Sequence, residues 1–107
     1  MVIAALDISG GKPKLLNQKT VYESADRNCV IEAADFYDKD SKMTFTCYEP
    51  NGLASVMTID LKTNAVINQS KAPGTYNECE GIFPDGKYVL VEADKQCDWL
   101  GGKRGHN

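Results

Sequence analysis

The sequence predicts an all-β protein built from short antiparallel strands. Polar and apolar residues alternate in several segments, and no segment shows the 3.6-residue apolar period of an amphipathic helix. Turn-forming clusters such as Ser9-Gly10-Gly11 and Pro84-Asp85-Gly86 interrupt these segments at short intervals. With 107 residues, the chain has the size of one small domain at most.

Composition excludes two classes of protein. Twelve basic and fifteen acidic residues give a net charge of −3, which argues against a nucleic-acid-binding face. No stretch approaches the ~18 consecutive apolar residues of a transmembrane helix, so no membrane span is expected. The first residues lack the basic segment and long apolar run of a signal peptide. The protein is therefore either cytosolic or one whose signal was removed.

The first predicted strands form a hairpin. Residues 2–7 are one strand, the glycines after Ser9 supply the turn, and residues 12–17 are the return strand. Pro13 places this second strand at a sheet edge, since proline cannot donate a ladder hydrogen bond. The polar residues 18–28 are expected to form a connecting loop.

Further predicted strands lie at residues 30–37, 42–49, 53–60, 65–69, 79–83 and 87–92. The strand at 42–49 carries the most regular alternation. Met43 and Phe45 are expected to face one side of the sheet, while Thr44 and Thr46 face the other.

Two parts of this pattern recur. The turn and strand that begin at Ser41 align with those at Gly86 at an offset of 45 residues, which places Asp35 over Glu80. The segment from Leu6 to Ile8 aligns with residues 59–61 at an offset of 53 residues. Periods of about 40–50 residues with four short strands each are typical of β-propeller blades.

The turn sequences carry a family resemblance. Residues 83–89, Phe-Pro-Asp-Gly-Lys-Tyr-Val, resemble the Ser-Pro-Asp-Gly-Lys turn of WD-like propeller repeats such as those of the TolB periplasmic component. Residues 6–16 and 59–64 are similar to the outer hairpin of the same repeats. Two departures are Tyr37-Asp38-Lys39-Asp40-Ser41 in place of the first Pro-Asp-Gly turn, and Phe83 in place of serine. The alternative is an unrelated antiparallel sheet with ordinary turns.

The expected organisation is an incomplete propeller of about two blades. Residues 2–17 supply the outer strands of one blade, residues about 29–69 a full blade, and residues about 77–93 the first two strands of the next. Residues 98–107 are a glycine-rich tail. Closed propellers have at least ~4 blades. The sequence therefore predicts either a piece of a longer protein or self-association of several copies to complete the propeller.

The four cysteines leave two alternatives open. Cys29, Cys47, Cys79 and Cys97 allow three disulfide pairings, among which the sequence does not choose. Free, buried thiols are the other alternative. No Cys-x-x-Cys pair indicates a zinc site, and no metal site is expected.

Candidate ligand-binding residues lie on the predicted innermost strands, in segments 32–36 and 77–81. Asp35 belongs to the first segment, while Glu78 and Glu80 are two residues apart in the second and share a strand face. They are suited to bind a cation or a sugar hydroxyl, or else form a solvated acidic edge. Trp99 could stack on a sugar ring, and His106 is a weak ligand candidate.

The resemblance to WD-like propeller repeats implies a binding scaffold that recognises a protein or glycan ligand, without chemistry or a cofactor in this chain. No Gly-x-Ser-x-Gly motif or Ser/His/Asp set is visible. The alternative function is that of a propeller segment in a larger hydrolase or carbohydrate-active lyase. The family resemblance implies a periplasmic or extracellular location.

Overall fold

The computed structural model describes residues 1–50, 52–70 and 76–93, which form eight β-strands and no helix. The strands are β1 Val2–Asp7, β2 Lys14–Thr20, β3 Val30–Tyr37, β4 Lys42–Tyr48, β5 Ala54–Asp60, β6 Val66–Asn68, β7 Asn77–Ile82 and β8 Val89–Ala93. The prediction of an all-β, antiparallel chain is confirmed. Within these residues, no helix is long and apolar enough to cross a membrane.

Three antiparallel sheets follow one another along the chain. The first is the hairpin β1-β2, the second has four strands in the order β3-β4-β5-β6, and the third is the hairpin β7-β8. Each strand of the second sheet pairs with its neighbour in sequence. We call these the first, middle and third sheets.

The core lies between the first and middle sheets. Met43 and Phe45 of β4 and Ile59 of β5 are buried there, and Phe45 has no exposed surface. Ile3 of the first sheet packs against them, together with Met1 before that sheet and Val21 and Tyr22 after it. The rings of Tyr22 and Phe45 lie 4.9 Å apart between centroids. Apolar burial on this face stabilises the packing of the two sheets.

The opposite face of the middle sheet contacts β7. The backbone N–H of Cys79 donates a hydrogen bond of 2.9 Å to Oγ1 of Thr46, which is buried. Asn77, also buried, donates through Nδ2 to the carbonyl oxygen of Ala54 at 3.4 Å. The alternation predicted for residues 42–49 is therefore confirmed, because Phe45 faces the first sheet and Thr46 faces the third.

The bounds of six of the eight strands differ from the expected ones, and the differences are largest in β2, β7 and β8. β2 continues to Thr20, so the predicted loop at 18–28 begins later. Asn17 has a φ of 54°, and the β1-β2 register shifts between Ile3 and Ala5. This bulge lets the strand continue past Asn17. β7 begins two residues earlier than expected, at Asn77, and β8 begins two residues later, at Val89.

The hairpins β3-β4 and β7-β8 share one pairing register. The cross-strand pairs Glu32–Thr46, Ala33–Phe45 and Phe36–Met43 of the first recur, 46 residues later, as Glu78–Glu92, Cys79–Val91 and Ile82–Val89 of the second. Both hairpins carry a bulge at the same position, with Ala34 as the extra residue in β3 and Glu80 in β7. The two hairpins therefore have the same strand pairing and the same bulge position.

The offset of 45 residues expected from the sequence is wrong by one for these strands. Asp35 corresponds to Gly81, and Glu80 corresponds to Ala34. The reason lies in the turns, where the N–H of Ser41 bonds the carbonyl of Asp38 and the N–H of Gly86 bonds that of Phe83. The two turns are therefore related by an offset of 45 residues, whereas the strands that they join are related by an offset of 46 residues.

The offset of 53 residues agrees with side-chain geometry. Oδ1 of Asp7, at the end of β1, accepts a hydrogen bond of 2.9 Å from the N–H of Ser9. Oδ1 of Asp60, at the end of β5, accepts one of 2.8 Å from the N–H of Lys62. β1 therefore occupies the position in its hairpin that β5 occupies in the β5-β6 hairpin.

Candidate ligand-binding site

An acidic cluster lies on the third sheet. Glu78 of β7 and Glu92 of β8 are direct cross-strand partners, and Glu80 is the bulge residue of β7. One carboxylate oxygen from each of the three residues lies within 4.8 Å of the others. Glu80 and Glu92 are exposed and Glu78 is half-buried. The bulge brings a third carboxylate to a cross-strand pair that already holds two.

Two tyrosines connect this cluster to the middle sheet. The hydroxyl of Tyr48 donates a hydrogen bond of 3.1 Å to Oε2 of Glu32, on β3, and also bonds the carboxylate of Glu78. The hydroxyl of Tyr76 donates to Oε2 of Glu78. The two rings are tilted by 47° with centroids 6.2 Å apart. Glu32 and Glu78, at equivalent positions of the two hairpins, thus lie on one continuous surface.

Both tyrosines are held in the protonated form. Burial raises the pKa of Tyr48, and its hydrogen bonds to Glu78 and Glu32 raise it further. Burial and the hydrogen bond to Glu78 raise the pKa of Tyr76 to about 12. At neutral pH both hydroxyls therefore act as donors to the carboxylates.

The carboxylates repel one another. Loss of hydration raises the pKa of Glu80, and the negative charges of Glu78 and Glu92 raise it further. A ligand group that brings positive charge or hydrogen-bond donors to Glu80 would reduce this repulsion. We call Glu32, Glu78, Glu80 and Glu92, with Tyr48 and Tyr76, the acidic face.

The structure brings together two of the five residues predicted from the sequence. Glu78 and Glu80 belong to the acidic face. Asp35 lies farther along β3, where a Cβ on Gly81 would be 4.0 Å from its Oδ2. Trp99 and His106 lie outside the described residues.

Sequence reasoning missed three members of the acidic face: Tyr48, Tyr76 and Glu92. Glu92 becomes detectable only when the register that places it opposite Glu78 is known. The tyrosines reach the face from the end of β4 and from the residue before β7. No local motif marks either of them.

The carboxylates of the acidic face form a surface of hydrogen-bond acceptors. Carboxylate oxygens accept hydrogen bonds from ammonium, guanidinium or sugar hydroxyl groups, and they are the ligands that Ca²⁺ and Mg²⁺ prefer. Glu78, Glu80 and Glu92 are the residues that could hold such an ion. Because their pKa values are raised, the two tyrosines stay protonated at neutral pH. They are therefore poorly suited to act as general acid–base catalysts at that pH.

The described cysteines are free thiols. Cys29 and Cys47 are half-buried and Cys79 is buried, whereas Cys97 lies outside the described residues. Burial raises the pKa of Cys47, and its contact with the thiol of Cys29 raises it further. A raised pKa makes the Cys47 thiol less reactive as a nucleophile.

Comparison with known proteins identifies no relative: no protein-family model, no curated protein and no solved structure matches this chain.

Proposed function

We propose that this chain is part of a propeller-type binding scaffold whose acidic face recognises a protein or glycan ligand. The observation that carries the proposal is the convergence of four carboxylates and two protonated tyrosines from adjacent sheets. The repeated hairpin register supports the propeller architecture, since blades are copies of one antiparallel unit. In such folds the sheets are scaffold and the exposed ends of strands bind.

The charge of the acidic face favours a protein ligand with basic side chains. The raised pKa of Glu80 reflects lost hydration and mutual repulsion among carboxylates. Lysine or arginine groups would relieve that repulsion and form charge-assisted hydrogen bonds. A glycan is the second candidate, because the same oxygens accept hydrogen bonds from sugar hydroxyls.

A short oligo-arginine peptide and a neutral oligosaccharide are suitable probes, followed by NMR titration of backbone amides. We expect the peptide to shift the amides of Glu78, Glu80 and Glu92, with an affinity that falls as salt rises. Binding of the oligosaccharide alone, independent of salt, would select the glycan. Binding of neither probe would contradict the proposal.

The matched variants are E78Q/E92Q and E23Q/D26N, which remove the same charge. Glu23 and Asp26 are exposed and lie outside the acidic face. We expect E78Q/E92Q to weaken peptide binding by about tenfold or more, since two charge-assisted hydrogen bonds are lost. Equal weakening by E23Q/D26N would show attraction by net charge rather than by the acidic face.

The alternative function, a propeller segment of a larger hydrolase or lyase, finds no specific support in the described residues. Their hydrogen bonds place acceptors and protonated phenols together, and they contain no histidine. A periplasmic or extracellular location stays a prediction from the family resemblance.

A further inference from the structure

We propose that β8 of one copy of this chain pairs with β1 of a second copy, completing a four-stranded sheet in the order β7-β8-β1-β2. The apolar residues of the proposed joint, Leu90 on β8 and Leu6 on β1, lie outside the acidic face, which includes Glu92 of β8. It therefore stands independently of the ligand proposed above.

The third sheet corresponds to the β3-β4 half of the middle sheet. The first sheet corresponds to the β5-β6 half. β7-β8 has the register and the bulge of β3-β4, and β1 ends on the same aspartate geometry as β5. In the middle sheet these halves are joined because β4 pairs with β5 along its whole length, from Lys42–Asp60 to Tyr48–Ala54. The structure thus shows how a β8–β1 joint would be built.

Both strands have an open edge and exposed apolar side chains. Among the described residues, β8 pairs only with β7, and β1 pairs only with β2. Leu90 of β8 is 57% exposed and Val91 is 40% exposed, while Val2 and Leu6 of β1 are 56% and 63% exposed. Open apolar edges of this kind pair readily with a matching strand.

The β4–β5 pairing also predicts the register of the joint. Transferring it by the offsets of 46 and 53 residues places Leu6 of the second copy opposite Val89. Ala5 and Ala4 of the second copy then lie opposite Leu90 and Val91. These three cross-strand pairs are apolar, Glu92 lies opposite Ile3 of the second copy, and no like charges meet.

A cavity of about 510 Å³ supports a second copy as the occupant. It is lined by Val56 and Thr58 of the middle sheet and by Val89 and Val91 of β8, among others. In the transferred register, Leu6 of the second copy shares a sheet face with Val89 and points toward this cavity. The equivalent residue of the middle sheet, Ile59, is 1% exposed in its own core.

Such a joint is head-to-tail, because it uses β8 of one copy and β1 of the other. Each copy then keeps one free edge of each kind, so association continues to a closed ring or an open chain. Blocking one edge in each partner should therefore stop growth at two copies.

The test is the solution mass of the full chain by light scattering, compared with 11.7 kDa for one copy. We expect the unmodified chain to exceed the mass of one copy. L6K and L90K should each reduce the assembly to single chains, because a lysine enters the apolar joint. The control is I67K, since Ile67 of β6 is also 57% exposed but lies outside the joint.

Mixing the two variants gives the sharpest result. L6K retains an intact β8 and L90K an intact β1, so an equimolar mixture should form a dimer and nothing larger. A monomeric unmodified chain, an unchanged mass for either variant, or a mixture that stays monomeric would overturn the proposal. Amide signals that retain the dispersion of a folded chain distinguish loss of association from unfolding. Peptide binding at the acidic face should persist in every variant.

Discussion

The hairpins β3-β4 and β7-β8 have the same register and the same bulge but very different surroundings. Phe45 of β4 has no exposed surface, whereas its counterpart Val91 of β8 is 40% exposed. β8 is the more apolar strand in its centre, yet β4 is the one that is buried. The number of sheets that cover a strand therefore decides its burial, and the hairpin geometry does not.

The comparison extends to polar groups. Thr46 is buried, and its hydroxyl accepts a hydrogen bond from the N–H of Cys79. A buried N–H group needs such an acceptor. Its counterpart Glu92 is exposed and belongs to the acidic face. One strand position thus serves packing in the middle sheet and belongs to the proposed ligand-binding surface in the third.

The largest expected difference is between F45A and V91A. Phe45→Ala should lower the free energy of unfolding by about 3–5 kcal/mol, because it leaves a cavity in the core. Val91→Ala should lower it by about 1 kcal/mol or less, since the side chain is already partly hydrated. Urea unfolding in an L6K background measures both without the proposed joint, and equal losses would contradict the comparison.

The next effect concerns the bond between the middle and third sheets. Thr46→Val should destabilise the fold by about 1–3 kcal/mol, because the buried N–H of Cys79 loses its acceptor. Thr46→Ser keeps a hydroxyl and should cost less than Thr46→Val. Urea unfolding compares them, and a valine variant as stable as the native chain would show that this bond contributes nothing.

The two turns should respond differently to substitution. Asp40 in the first turn and Gly86 in the second both have a left-handed backbone, with φ values of 61° and 72°. Gly86→Ala should cost about 1 kcal/mol, because a side chain is strained in the left-handed region. Asp40→Gly should change stability by no more than about 0.5 kcal/mol, since aspartate tolerates this region. Thermal unfolding of both variants tests this, and a larger loss for Asp40→Gly would refute it.

The smallest effect is electrostatic and depends on pH. The pKa of Glu80 is raised in the folded chain, so its ionisation opposes folding. This opposition is absent below the ordinary carboxyl pKa of about 4.3 and is fully present above the raised value. Glu80→Gln should therefore raise the Tm at neutral pH and leave it unchanged near pH 4.

The control for this prediction is Glu23→Gln. Glu23 is exposed and lies outside the acidic face, so its replacement should leave the Tm nearly unchanged at either pH. A stabilisation by Glu80→Gln that persists at low pH would show that charge repulsion is not its cause.

Local patterns were sufficient to predict most strands. The bounds of β1 and β3 agree with those expected, because alternation and turn residues define both ends. β2 was predicted too short, since a bulge at Asn17 lets a polar segment stay in the sheet. The offset between hairpins was off by one because the turn signals align differently from the strands.

Only part of the acidic face could be predicted. Glu78 and Glu80 share a strand face, which a period of two residues reveals. Glu92 joins them through cross-strand register, and Tyr48 joins through contact between sheets. Cross-strand register and contact between sheets both join residues that are distant in the sequence. Local sequence patterns therefore predict at most half of the residues of the acidic face.

The middle sheet has a neighbour on both faces, whereas the first and third sheets each have one among the described residues. Where sheets pack face to face, local opening starts in the sheet that has fewer neighbours. Amide hydrogens of β4 and β5 should therefore exchange with solvent last, and those of β8 much sooner. The chain would behave as a rigid centre with two hairpins that open independently, which gives each outer surface its own dynamics.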